Sequence, residues 1–170
     1  GYCRQLKYVT FEKNSELEII DDCAFFYSSI EQIIIPRSVT YIGEKAFMRC
    51  ENLKSFELEK NSKIESIPKK LFYQCYNLTA VKFIERCAFR QMGKGIIGIK
   101  ITELFIPETV EEFKDGWCKE TYNLNHITIS PNNKFVKKCK ENNKIIVGRS
   151  NINSEIYDEI LVVERNIESI

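Results

Sequence analysis

The 170-residue sequence contains seven cysteines, whose thiol groups can form disulfide bonds or bind a metal ion. No two of them form a Cys-x-x-Cys pattern, which argues against a zinc site or a redox motif, so we expect no metal and no cofactor. Cys3, Cys50 and Cys75 each lie three residues before a recurring apolar residue. One interpretation is that they are buried thiols that fill space and bond to the turn backbone. The alternative is a disulfide between Cys50 and Cys75, for which closeness alone does not supply the geometry.

The sequence contains one histidine, His126, and the residues around it do not form a catalytic pattern. No serine or cysteine lies near it at a spacing typical of nucleophilic catalysis. Cys118 is eight residues away, but it belongs to the far side of the preceding repeat. The sequence also lacks a glycine-rich phosphate loop. We therefore predict that the chain is not an enzyme.

Positive charge is concentrated at residues 134–149 and is followed by an acidic stretch at 150–170, although the net charge of the chain is only +1. A net charge this small argues against nucleic acid as a partner. Five lysines close together in the sequence could nevertheless bind sulfated glycans or anionic lipid headgroups: Lys134, Lys137, Lys138, Lys140 and Lys144. The alternative is that this run of lysines is a solvated loop, as such runs commonly are.

A repeat of 23 to 25 residues must position all of these side chains. The apolar pattern L-x-x-(I/V/L/F)-x-(I/L/F) begins at six residues: Leu6, Ile30, Leu53, Leu78, Ile101 and Leu124. The alternation of apolar residues within each copy predicts a strand with one buried face. A period of this length, with this spacing, is the signature of a leucine-rich repeat solenoid.

The predicted fold is a right-handed solenoid with coils of about 23 residues and a parallel β-sheet on its concave side. We expect short turns and helical segments on the convex side. The heptapeptide E-K-A-F-M-R-C at 44–50 predicts one helical turn, with Phe47 facing the core. The coil that begins at Leu78 contains an irregular stretch at 84–100, which predicts a distorted convex side over an intact strand.

The regular repeat predicts a leucine-rich repeat array over 1–130. Two β-like runs around a polar turn then indicate an irregular β-rich insertion or hairpin at 131–166, and the start of a further repeat at 167–170. No apolar run approaches the ~18–20 residues of a membrane helix, and we find no secretory signal. We expect any anchoring or targeting element to lie outside this segment.

Side chains one, two and four residues after each leading residue should point outwards from the concave sheet. Eight of them are candidate ligand contacts: Tyr8, Gln32, Ile34, Glu57, Lys82, Glu103, Phe105 and His126. Exposed Tyr8, Ile34 and Phe105 would be unusual on a solvated face, and aromatic residues flanked by charges are typical of recognition surfaces. The alternative is that scattered exposed apolar residues are an ordinary feature of protein surfaces.

The sequence I-P-x-S-V-x-x-I-G-x-x-A-F-x-x-C-x-x-L at 35–53 resembles the BspA-like leucine-rich repeat family, whose members are surface proteins of bacteria and parasitic protists. The resemblance is strongest over 30–78 and poor over 84–100. The stretch from S-P-N-N-K-F to I-L-V-V-E-R-N-I is similar to a non-repeat module that interrupts such arrays in protist surface antigens. The resemblance implies a cell-surface or secreted protein that adheres to host cells, matrix proteins or other microbes, with no catalytic residues.

Two functions remain open at this point. The first is a protein- or glycan-binding segment of a cell-surface adhesin, and the second is an intracellular leucine-rich repeat scaffold that mediates protein–protein interaction. A signal peptide or membrane anchor in the full-length gene would favour the first. We expect a protein or glycan partner, contact with a membrane only through an anchor outside this segment, and possible self-association through uncapped end coils.

Overall fold

The computed structural model describes residues 3–82, 91–92, 100–113, 123–124, 126–138, 140, 145–148 and 159–163. These residues contain no helix. They form thirteen short strands, numbered in chain order: β1 (Ile19–Ile20), β2 (Gln32–Ile35), β3 (Tyr41–Ile42), β4 (Ser55–Leu58), β5 (Ser66–Ile67), β6 (Ala80–Lys82), β7 (Gln91–Met92), β8 (Glu103–Ile106), β9 (Glu112–Phe113), β10 (His126–Ile129), β11 (Val136–Lys138), β12 (Ile145–Gly148) and β13 (Glu159–Val163).

Ten of the strands lie in two rows along a stack of coils. The concave strands are β2, β4, β6, β8 and β10, and the second strands are β1, β3, β5, β7 and β9. Every pairing within these rows is parallel. Residues at the same position of successive coils are aligned, since Ile33 pairs with Phe56 and Phe56 with Val81. The predicted leucine-rich repeat solenoid, with its parallel concave sheet, is therefore confirmed.

The core is a column of side chains inside the stack, because each coil packs mainly on its neighbours. In β2, Ile33 and Ile35 are buried while Gln32 and Ile34 are exposed, as the alternation of a strand requires. Phe47 is fully buried, as predicted. The leading apolar residues of five coils are also buried: Ile30, Leu53, Leu78, Ile101 and Leu124.

The convex side consists of turns, and the prediction of a helical turn at 44–50 is wrong. Lys45 and Arg49 adopt a left-handed backbone conformation with φ of 58°. Their N–H groups donate to the next coil, to Lys69 O at 3.3 Å and to Tyr73 O at 2.9 Å. A helix would direct these donors along its own axis. The turns instead satisfy them between coils, which offsets the cost of the left-handed residues.

The first coil also departs from the prediction, because residues 6–11 do not form a strand. One backbone hydrogen bond, from Glu31 N to Lys7 O at 3.3 Å, attaches this segment to the residue that precedes β2. Val9 and Phe11 pack against the core but are only half-buried. The coil has a described neighbour on one side only, so it gains less from packing than the coils inside the stack.

Beyond β10 the parallel pairing gives way to an antiparallel sheet. Strands β11, β12 and β13 form this sheet in the order β11-β12-β13, and they lie within the predicted β-rich segment 131–166. In the irregular stretch 84–100, β7 continues the second row between β5 and β9. Most of that stretch, and the predicted repeat start at 167–170, lie outside the described residues.

Candidate functional site

The outer face of the concave strands carries the predicted ligand contacts. Tyr8, in the segment before β2, is 70% exposed, and Ile34 of β2 is 55% exposed. Glu57 and Phe105 are half-buried, and the remaining four candidates are exposed: Gln32, Lys82, Glu103 and His126. Ile34, Glu57 and Lys82 are aligned across β2, β4 and β6, and Glu103, Phe105 and His126 lie on the paired strands β8 and β10.

Two ion pairs between successive coils neutralise charge on this face. Lys54 Nζ lies 2.8 Å from Glu31 Oε2, and Lys82 Nζ lies 3.7 Å from Glu57 Oε2. The hydrogen bond from Lys54 lowers the pKa of the Glu31 carboxyl group and raises the pKa of Lys54. Both pairs are solvent-exposed, so their contribution to stability is small. Their main effect is to keep the middle of the concave face close to neutral.

A cavity of about 260 Å³ adjoins exposed Ile34 at the first end of the concave face. We call it the N-terminal slot. It lies between residues 9–11 and β2, and it is lined partly by the apolar side chains of Val9, Phe11, Ile33 and Ile34. The slot lies where the first coil fails to continue the sheet, so the departure from regular strand pairing leaves a recess in the surface.

His126, one of the candidates on β8 and β10, borders a larger cavity of about 440 Å³ between β10 and β11. We call it the junction groove. It brings His126 of the concave row together with Lys137 and Lys138 of the lysine cluster. Lys134 and Lys140 are exposed nearby in sequence but do not line the groove. Lys144 lies outside the described residues.

Asn133 fixes the chain where it passes from the parallel stack to the antiparallel sheet. Its Nδ2 donates to Pro107 O at 2.7 Å and to Val110 O at 3.1 Å. Its Oδ1 accepts from the N–H groups of Phe135 and Val136, each at 2.8 Å. The residue was not among the sequence candidates, although the Ser-Pro-Asn-Asn turn signal after a strand could have identified it. Two of these bonds tie Asn133 to the preceding coil, and the other two fix the start of β11, which is one wall of the junction groove.

The cysteines of adjacent coils are unbridged, buried thiols, as the first interpretation predicted. Cys50 and Cys75 are free, and each Sγ donates to a backbone carbonyl of the preceding coil, at 3.0 Å. The acceptors are Phe25 O and Phe47 O, respectively. Cys3, at the equivalent position of the first coil, is exposed instead, because the parallel stack covers that coil on one side only.

We expect the Cys75 thiol to make stability fall at alkaline pH. Burial raises the pKa of this thiol well above its ordinary value. The unfolded chain releases the proton near its ordinary pKa of about 8.5, whereas the folded chain keeps it. The stabilisation that the Cys75 thiol provides is therefore fully present below that pH. As the pH rises above it, the unfolding free energy falls by up to about 1.4 kcal/mol per pH unit.

Urea unfolding at about pH 7.5 and about pH 9.5 measures this effect through the change in unfolding free energy. Cys75→Ala should lose less stability between the two conditions than the wild type. The control is Cys23→Ala, which removes an exposed thiol and should retain the wild-type pH dependence. If the unfolding free energy of all three proteins changed equally between the two pH values, the Cys75 thiol would not be the cause of the pH dependence.

No group of histidine, cysteine and acidic side chains within the described residues could hold a metal ion. The same part of the chain contains no helix that is long and apolar enough to cross a membrane.

Comparison with known proteins gives the family. The model of the BspA-type leucine-rich repeat region matches residues 18–146 in six copies. Among solved structures, the chain is similar to the pneumococcal vaccine antigen PcpA, with 25% identity and a TM-score of 0.50, covering 82% of this chain and 28% of that one. It is also similar in fold to the T. pallidum leucine-rich repeat protein TpLRR, with 19% identity and a TM-score of 0.55, covering 67% of this chain and 64% of that one.

The chain thus spans less than two thirds of the length of either structure. No curated protein shows a significant match to it. The family match nevertheless covers most of the sequence and includes all ten strands of the two parallel rows. The chain belongs to the BspA-type leucine-rich repeat family.

Proposed function

We propose that this chain is a binding segment of a cell-surface adhesin, which contacts a protein or glycan through its concave face. The observation that carries the proposal is the N-terminal slot, which is lined in part by exposed Ile34, together with exposed Tyr8, the residue before Val9 of its lining. Large apolar side chains around a recess on a rigid sheet supply the contact area on which most interfaces depend.

Family membership and the likeness to a pneumococcal vaccine antigen support a location at the cell surface. A stack of short coils offers extended surfaces, which suits binding. We therefore also propose that the chain acts without catalysis. A protein or glycan ligand fits a face on which apolar residues lie next to exposed polar ones and neutralised charges.

A binding experiment with a matched control tests the role of the concave face. The purified chain is applied to immobilised matrix proteins and to a glycan array, and Tyr8→Ser/Ile34→Ser is compared with wild type. The control, Ile19→Ser/Tyr41→Ser, removes the same residue types from the second strands, where they are 53% and 50% exposed. We expect at least about tenfold weaker binding for the first variant and less than about twofold for the control. Equal loss in both variants, or no binding by the wild type, would refute the role of this face.

Surface labelling of intact source cells with an antibody to the chain tests the location. The proposal predicts labelling before the cells are permeabilised. A signal that appears only after permeabilisation would favour the intracellular scaffold.

A further inference from the structure

The N-terminal slot opens where the first coil separates from the edge of β2. At the start of the slot the two segments are still joined, because Glu31 N donates to Lys7 O at 3.3 Å. Beyond this bond, within the described part of the chain, residues 9–11 form no backbone hydrogen bond with β2. The slot has a volume of about 260 Å³, which is less than the ~300–1,000 Å³ of typical small-molecule sites. It therefore suits part of a longer ligand better than a whole small molecule.

The edge of β2 that borders the slot carries backbone groups that can pair with another strand. Successive residues of a strand direct their N–H and C=O groups to opposite edges. Ile35 O accepts from Glu59 N at 3.0 Å, so the backbone groups of Ile35 face β4. Those of Ile34 therefore face the first coil, and neither has a hydrogen-bond partner among the described residues. An open strand edge of this kind is a template for an added strand.

The slot also contains a carboxylate, that of Glu59, which is half-buried. On the concave face, Glu31 and Glu57 each pair with a lysine of the next coil. Glu59 forms no ion pair with any residue that the structure describes. Its Oε2 accepts from the backbone N–H of Arg37 at 3.0 Å, which holds the carboxylate in place without a counter-ion. A fixed negative charge beside apolar side chains favours a ligand that carries a cation.

We propose that the N-terminal slot binds an extended peptide segment of a protein partner, which pairs its backbone with Ile34 and places a lysine or arginine at Glu59. An apolar side chain of the same segment packs against Val9 and Phe11, which line the slot. A saccharide lacks the alternating N–H and C=O groups of a strand, and an acidic saccharide carries the wrong charge for Glu59. The proposal narrows the ligand of the proposed function to a peptide, and it rests on that function.

Selection from a phage-displayed library of linear heptapeptides on the immobilised 170-residue chain tests the proposal. The enriched peptides should carry a lysine or arginine next to apolar residues. A synthetic copy of an enriched peptide should bind Glu59→Gln at least about tenfold more weakly than the wild type, because a charge-assisted contact is lost. Glutamine keeps an acceptor for the N–H of Arg37. The matched control, Glu65→Gln, removes an exposed carboxylate from another coil and should change binding less than about twofold.

Methylation of single backbone nitrogens in the synthetic peptide tests the strand pairing separately from the charge. Only alternate N–H groups of an added strand face the sheet. Of two consecutive central residues, methylation of one should weaken binding at least about tenfold through the lost hydrogen bond, and methylation of the other should weaken it much less.

Three outcomes would overturn the proposal. These are the absence of enriched peptides, equal weakening by Glu59→Gln and Glu65→Gln, and equal effects of methylation at the two consecutive residues. The selection uses the purified chain and does not depend on cellular location, so its failure is distinguishable from that of the proposed function. A surface-exposed chain that binds glycans but selects no peptide would sink only the peptide assignment, whereas an intracellular chain that selects such peptides would sink only the adhesin.

Discussion

Replacing Phe47 with alanine should lower the unfolding free energy by about 3–5 kcal/mol, the usual cost of removing a fully buried phenylalanine. Phe47 is fully buried, and its ring contacts those of Phe25 and Phe72 in the two flanking coils, at centroid distances of 5.1 and 6.2 Å. It also meets the edge of Phe56 at 5.5 Å. The substitution would therefore open a cavity across two coil–coil interfaces, on which the stability of a stack depends.

Urea unfolding followed by circular dichroism measures this loss directly. Tyr41→Ala is a suitable control, because it removes an aromatic ring from the same coil at a position that is 50% exposed. Its cost should stay within about 0.5 kcal/mol. A Phe47→Ala protein that unfolds at the wild-type urea concentration would contradict the assignment of this residue to the core. Since whole domains are stable by only about 5–15 kcal/mol, the variant should also be prone to losing the entire fold.

The apolar period was sufficient to predict the solenoid and the alignment of its concave strands, because it reports which side chains face the core. It could not predict the convex turns. Phe47 would point inwards from a helical turn and from the observed turn alike, so the pattern does not reveal where the backbone N–H groups are satisfied. That choice depends on the neighbouring coil, whose carbonyl groups accept from Lys45 and Arg49.

The candidate sites, like the turns, could be predicted only in part. The local sequence pattern predicts which side chains are exposed, but not the cavities that form where separate segments pack together. Outward-facing positions such as Tyr8 and Ile34 follow from strand alternation and are exposed in the structure. The N-terminal slot does not follow from it, since the slot arises where residues 9–11 fail to pair with β2. The junction groove is also a tertiary feature, because the approach of β11 to β10 decides that His126 and Lys137 share a cavity.

Gly43→Ala should destabilise the chain by about 3 kcal/mol or more, at or above the upper end of the usual range for overpacking. A Cβ at Gly43 would lie 2.3 Å from the backbone N of Asp22 and 2.6 Å from the carbonyl carbon of Asp21. The glycine cannot simply move away, since its own N–H donates to Ile20 O at 2.7 Å.

The sign of the change in stability makes Gly43→Ala a decisive test of how closely the coils approach. Gly43 does not adopt a left-handed conformation. Without the clash, alanine should therefore stabilise the chain by about 0.4–1 kcal/mol through the unfolded state. Adding Asp22→Ala to Gly43→Ala should restore little of the lost stability, because the contact with the backbone remains. The control, Glu44→Ala, changes an exposed neighbouring residue and should be as stable as the wild type. Urea unfolding of the three variants measures these changes in stability. A Gly43→Ala protein as stable as the wild type, or more stable, would mean that β1 and β3 do not stack as closely as described.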